Sequence, residues 1–160
     1  MFGAGNVNVN RLYNKGYDAT CAGNHTEAVY WYDQCLKLAP NDHEAWMNRG
    51  LSLALLKEFD KAIESFNISI KIVPNNYEVW KFKGECLAID LNLHEEAIEC
   101  YKKALNLNPN DDRTWSNQGN SFSVLGRISE AKASWEKSLQ VNPANYAAQK
   151  ALSQLKNAGL

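Results

Sequence analysis

Histidine, cysteine and paired carboxylates are the side chains best suited to chemistry, and in this chain they do not converge. The three histidines are His25, His43 and His94. Catalysis needs a nucleophile, base and acid brought to one place. No HExxH, GxSxG, phosphate-loop or dinucleotide fingerprint is present to do so. The cysteines, at 21, 35, 86 and 100, form no CxxC pair, the spacing that marks a redox or zinc motif. They are expected to be buried thiols in reducing surroundings. The adjacent carboxylates Glu95-Glu96 and Asp111-Asp112 fall at helix starts, where negative charge complements the macrodipole. The expectation is no enzyme, no catalytic residue, no cofactor and no metal.

Composition narrows the remaining classes. The chain has 160 residues, of which 45% are apolar and 11% aromatic, enough for one packed domain or a short repeat array. Seventeen Lys and Arg against 18 Asp and Glu leave a net charge of -1. A nucleic-acid or anionic-membrane binder normally carries a basic excess, so neither partner is expected. No apolar run is long enough to span a bilayer. Met1–Asn10 lacks the charged and apolar segments of a secretory signal, so a cytoplasmic location is expected.

The elements that must position any site emerge from a repeat. Prolines stand at 40, 74, 109 and 143, separated by 34, 35 and 34 residues. Gly16, Gly50, Gly84 and Gly119 keep the same step, as do Ala28, Ala62, Ala97 and Ala131. Trp46, Trp80 and Trp115 follow it too, with Leu12 in the first copy. The period defines copies at 9–42, 43–76, 77–111 and 112–145. Within each, apolar spacing is helical and falls into two segments. The first follows an N-cap residue: Asn8, Asp42, Asn76, Asp111, and again Asn145. The second begins near Thr26, Asp60, Glu95 and Ser129 and stops before the proline, which has no amide hydrogen to continue a helix. Each copy therefore reads as a helical hairpin, its small Gly and Ala allowing the two helices to approach. The third copy has one extra residue between Leu87 and Ala97, expected in the hairpin turn. Residues 146–160 read as one more helix and a tail, with Tyr146, Leu152 and Leu155 facing inward. Residues 1–8 are Gly- and Asn-rich and are expected to be disordered or foreign to the natural chain.

This pattern resembles the tetratricopeptide repeat. The second copy shows Trp46, Gly50, Leu53, Ala62, Phe66, Ser69 and Pro74; the third, Trp80, Gly84, Leu87, Ala97, Tyr101, Ala104 and Pro109; the fourth, Trp115, Gly119, Phe122, Ala131, Trp135, Ser138 and Pro143. The first, Leu12, Gly16, Ala19, Ala28, Tyr32, Cys35 and Pro40, departs at two positions. The resemblance implies an all-α, right-handed superhelix (an α-solenoid) of four repeats with a C-terminal capping helix. The tryptophans in the repeat slot, and Trp135, read as core; Trp31, beside that slot, reads as partly exposed. His25 and His94 read as substitutes for Phe59 and Ile128 at an apolar position.

The resemblance also implies that first helices line a concave groove and that partner peptides lie in it. Carried to this chain, the groove positions are Asn10, Tyr13, Asn14 and Tyr17, then Glu44, Met47, Asn48 and Leu51, then Glu78, Lys81, Phe82 and Glu85, then Arg113, Ser116, Asn117 and Asn120. The clamp that some members use for chaperone C-terminal carboxylates needs Lys, Asn and Arg. Here its positions hold Tyr13, Tyr17, Asn48, Glu78 and Phe82, or in the next frame Met47, Leu51, Phe82, Arg113 and Asn117. Neither set has the charge, so no chaperone tail is expected. Asn14, Asn48 and Asn117 instead occupy equivalent positions, broken by Phe82, and a carboxamide can pair with any peptide backbone. The same asparagines also have a purely structural reading. The expected function is a non-catalytic protein-interaction module. Its alternatives are a self-associating scaffold (a homodimer) or a repeat segment of a larger assembly.

Overall fold

The structure, a computed structural model, describes residues 4–157 except 91, together with 159. Every regular element among them is helical: α1 (Ala4–Cys21), α2 (His25–Leu38), α3 (His43–Leu55), α4 (Phe59–Ile72), α5 (Tyr77–Glu85), a π-helical turn (Cys86–Asp90), α6 (His94–Leu107), α7 (Asp112–Val124), α8 (Ile128–Val141) and α9 (Tyr146–Asn157). The chain divides into two compact units, residues 1–82 and 83–160.

In the first unit, α1 pairs with α2 and α3 with α4, and α3 packs on α2. The starts of α3 and α5 are capped by side chains. Asp42 Oδ1 accepts from the Ala45 amide at 3.0 Å, and Asn76 Oδ1 from the Glu78 amide at 3.0 Å. Asn8 does not cap, because α1 already runs from Ala4. Residues 4–8 are therefore helical rather than disordered: no proline or capping side chain interrupts them, and Val9 anchors that end against a core of Ala19, Ala28, Tyr32, Cys35, Leu36 and Ala45. Residues 1–3 lie outside the described residues.

The second unit repeats the scheme. Asp111 Oδ1 receives the Arg113 and Thr114 amides, and Asn145 Oδ1 the Ala148 amide at 3.0 Å. Its core joins Ile98, Phe122, Ala131, Trp135 and Ala148, with Leu152 and Leu155 of α9 against it. Tyr146, expected inward, is 74% exposed, and the buried contact of α9 is made by Ala148 instead. Two residues separate these positions, which turns them to different sides of the helix.

The hairpins are closed by the same device four times. Gly23, Lys57, Asn92 and Gly126 are left-handed, with φ of 77°, 62°, 55° and 74°. In three of them the next amide reaches back five residues: Asn24 to Ala19, Glu58 to Leu53, Arg127 to Phe122. In the third hairpin Leu93 reaches back six, to Leu87, at 2.8 Å. The extra residue is thus absorbed before the turn, in the π-helical Cys86–Asp90, and not in the turn itself. A wider helical turn takes one more residue while leaving the closing geometry unchanged.

The recurrent glycines lie beneath aromatic rings. A Cβ on Gly16, Gly50, Gly84 or Gly119 would come within 2.6–2.7 Å of Tyr32, Phe66, Tyr101 or Trp135 respectively. Trp46, Trp80 and Trp115, expected in the core, are only half-buried. Their indole N–H groups donate to the carbonyls of Pro40, Pro74 and Pro109 at 2.8, 2.9 and 2.8 Å, clipping the loop that precedes each helix. Gln149 does the same to Pro143 at 2.7 Å, so α9 keeps the clip without the tryptophan.

Candidate functional site

In the first unit the groove positions expected from register fall on α1, α3 and α5. Asn10, Asn14 and Tyr17 are exposed, the last to 53%, whereas Tyr13, Met47, Asn48 and Leu51 are half-buried. Asn48 Nδ2 donates to the Tyr13 hydroxyl at 2.8 Å, tying one first helix to the next. The Tyr13 ring packs edge-on against Tyr32, 5.8 Å between centroids. Burial, then the negative charge of Glu44, pushes the Tyr13 hydroxyl up to about 12. It is therefore a neutral group at physiological pH, and its own hydrogen has no acceptor among the described residues. Lys81, on α5, has its ammonium over Tyr77 and Phe82, at 5.6 and 4.9 Å. Such contacts hold a cation against its own helix.

In the second unit Glu85, Asp112, Arg113, Ser116, Asn117, Asn142, Asn145 and Tyr146 line one concavity of about 350 Å³. Asn117 Nδ2 donates to Glu85 Oε1 at 3.0 Å. Asp112 Oδ2 accepts from Asn142 at 3.0 Å and Asn145 at 2.6 Å. Four of its ten lining residues were assigned from register (Glu85, Arg113, Ser116 and Asn117), and the other six, Ala144 and Ala147 among them, were missed. Asn145 has a double use, since its oxygen caps α9 while its amide holds Asp112. The punctuation around Pro143 could have flagged this wall, because each post-proline loop leads into a first helix. Asn120 does not join the concavity; its Oδ1 accepts from the Trp135 indole at 3.0 Å, inside its own hairpin. Also missed were Leu55 and Val124, each 62% exposed and one helical turn beyond Leu51 and Asn120.

His94 contacts Ser121 Oγ at 3.3 Å and Asn92 Oδ1 at 3.0 Å. Cys35, Cys86 and Cys100 are buried, but Cys21 is exposed, contrary to expectation, because it ends α1 at the open turn. Burial pushes the Cys35 and Cys100 thiols up, which disfavours thiolate chemistry. Trp31 is half-buried, covered by the Lys15 ammonium at 3.8 Å and bonded to Glu27 at 3.1 Å. Among the described residues no group of three or more His, Cys, Asp or Glu could hold a metal, and no helix is long and apolar enough to cross a membrane.

Comparison with known proteins agrees with this architecture. The family model described as tetratricopeptide repeat matches residues 43–76, and a second, described as TPR repeat, matches 89–123. A crystal structure of MamA protein is similar at a TM-score of 0.82 and 20% identity, over 88% of this chain and 76% of that one. MamA from residue 41 to its end, from Desulfovibrio magneticus RS-1, gives 0.79 at 21% identity, over 86% and 77%. The first tetratricopeptide-repeat domain of Spaghetti, bound to the HSP90 peptide SRMEEVD, gives 0.69 at 21% identity, over 72% and 91%. At such identities the likeness is one of fold, and the fold class is the all-α solenoid.

Proposed function

Because this chain is built of tetratricopeptide repeats, we propose that it is a non-catalytic protein-interaction module that holds a partner's peptide segment against the inner faces of its first helices. The observation that carries this reading is the concavity of the second unit, where Glu85, Arg113, Ser116 and Asn117, assigned from register, line one cavity together. The Asn48–Tyr13 bond supports the same reading in the first unit. There Tyr17, Met47 and Leu51 add apolar surface for partner side chains. A surface already ordered by its own hydrogen bonds loses little conformational freedom on binding.

The test begins with affinity capture from native lysate and mapping of the bound segment as a synthetic peptide. Asn48→Ala with Asn117→Ala should weaken that peptide's binding by about tenfold, or ~1.4 kcal/mol, with helicity unchanged by circular dichroism. Equal binding by the double variant would remove the asparagines from the reading.

Self-association is the second reading, favoured by exposed Leu55, Ile89 and Val124 at 62%, 74% and 62%. Aliphatic side chains left in water are a cost that a second copy relieves. Sedimentation over a range of concentrations separates the two: a dimer that competes with the mapped peptide supports the second reading.

A further inference from the structure

The concavity of the second unit has a charge and hydrogen-bonding pattern that points to one partner chemistry. Its carboxylate Asp112 is held by two neutral amides, those of Asn142 and Asn145, and Glu85 accepts from Asn117. An amide fixes a carboxylate's position but does not cancel its charge. Asp112 has no ion pair among the described residues, and both its amide bonds fall on Oδ2. Arg113, the cation of the lining, is exposed and has no side-chain partner among the described residues. Asp112, half-buried and fixed by two amides, is thus a carboxylate whose charge no cation among the described residues pairs.

A second observation, independent of the charges, marks the same cavity as a place for a ligand. Ser116 lines it, is 3% exposed, and its Oγ has no hydrogen-bond partner. The other buried serines are all bonded: Ser52 and Ser121 to side chains, Ser65, Ser69, Ser134 and Ser138 to backbone carbonyls. A buried hydroxyl left without a partner costs free energy that a ligand's N–H or C=O would recover. Tyr146, 74% exposed, stands in the same lining, and its ring offers a face to a cation or its aliphatic stem.

We infer that this cavity takes a basic side chain of the partner peptide, with Asp112 as its counter-charge, Ser116 and Asn117 meeting the adjacent backbone, and Tyr146 covering the stem. The inference rests on the reading that the inner face binds peptides, and adds which peptides. Arg113 sets a limit, because it opposes a second cation beside the first. The preferred segment therefore carries one Lys or Arg among uncharged or acidic neighbours.

The experiment uses two pools of nine-residue peptides on a biosensor, capped at both ends, uncharged at every position except a central Lys in one pool and Glu in the other. The full chain should bind the Lys pool at least tenfold more tightly. Asp112→Asn, which can still accept from Asn142 and Asn145, should bring the ratio close to one. Arg113→Gln leaves those bonds untouched and should tighten the Lys pool about threefold. Equal or tighter binding of the Glu pool, a preference that survives Asp112→Asn, or weaker Lys binding by Arg113→Gln would each overturn the inference. If both pools bind alike, peptide binding stands and the charge preference falls; if neither binds, both fall.

Discussion

The contact between Gly50 and Phe66 allows a stability change to be worked out from geometry. A Cβ on Gly50 would lie 2.6, 2.8 and 3.0 Å from Phe66 Cε1, Cδ1 and Cζ. Phe66 is wholly buried, so the ring has no open space to move into. In an exposed helix, replacing glycine by alanine stabilises by roughly 0.5–1 kcal/mol through backbone entropy. Overpacking a closed core costs roughly 1–3 kcal/mol. The steric effect wins, and Gly50→Ala should destabilise by about 1–2 kcal/mol in urea unfolding followed by circular dichroism. Phe66→Leu removes the offending ring atoms and by itself should cost about 1–2 kcal/mol for the void it leaves. The double variant should then be no less stable than Phe66→Leu alone, a coupling of about 1 kcal/mol or more between the two sites. If Gly50→Ala alone stabilised the protein by its helix propensity, the close approach of ring and backbone would be refuted.

Tyr13 gives a pH prediction. Its hydroxyl is pushed up to about 12 from 10.0, mainly by burial and then by Glu44. The unfolded tyrosine ionises near 10.0 while the folded one keeps its proton, so this contribution is complete below pH 10 and is lost as pH rises toward 12. Tyr13→Phe should flatten that alkaline loss in denaturant titrations at pH 9 and 11. Capping gives another. Asp42→Ala removes the acceptor of the Ala45 amide and should cost about 1 kcal/mol, whereas Asn24→Ala, at a helix start with no side-chain cap, should cost a few tenths at most. Thermal unfolding of the two variants side by side decides it.

The sequence reveals most where one residue type has one physical use. Proline ends a helix wherever it stands, and Asp42, Asn76, Asp111 and Asn145 cap because a short acceptor beside open amides has few other outlets. Trp46 misled because a large aromatic at a fixed period reads as core, and spacing carries no sign that its N–H would clip the Pro40 carbonyl. The extra residue of the third hairpin was visible, but its place was not. A turn and a π-helical widening both accommodate one residue, and the left-handed Asn92 that kept the turn intact is evident only from backbone angles. Asn120 shows the limit for the site itself. Its register matches Tyr17 and Leu51, yet Trp135 in the same hairpin presents an N–H that must be satisfied, and the asparagine turns to it.

The asparagines at the inner face have two explanations, and the geometry lets both hold at once. Asn48 donates to Tyr13 and Asn117 to Glu85, each reaching from its own first helix to the one before it. Each bond uses one hydrogen of the amide and leaves its oxygen and second hydrogen for another group. A side chain that stiffens the surface is then the same one that would meet a peptide backbone. Valine or leucine at these positions could pack but not bridge, and lysine could reach a carboxylate but offers no acceptor. The carboxamide is the group that can anchor to Tyr13 in one unit and to Glu85 in the other while still presenting both a donor and an acceptor outward. Structural recurrence and the proposed peptide recognition are therefore compatible in one side chain, and the double alanine variant tests the part that only binding can report.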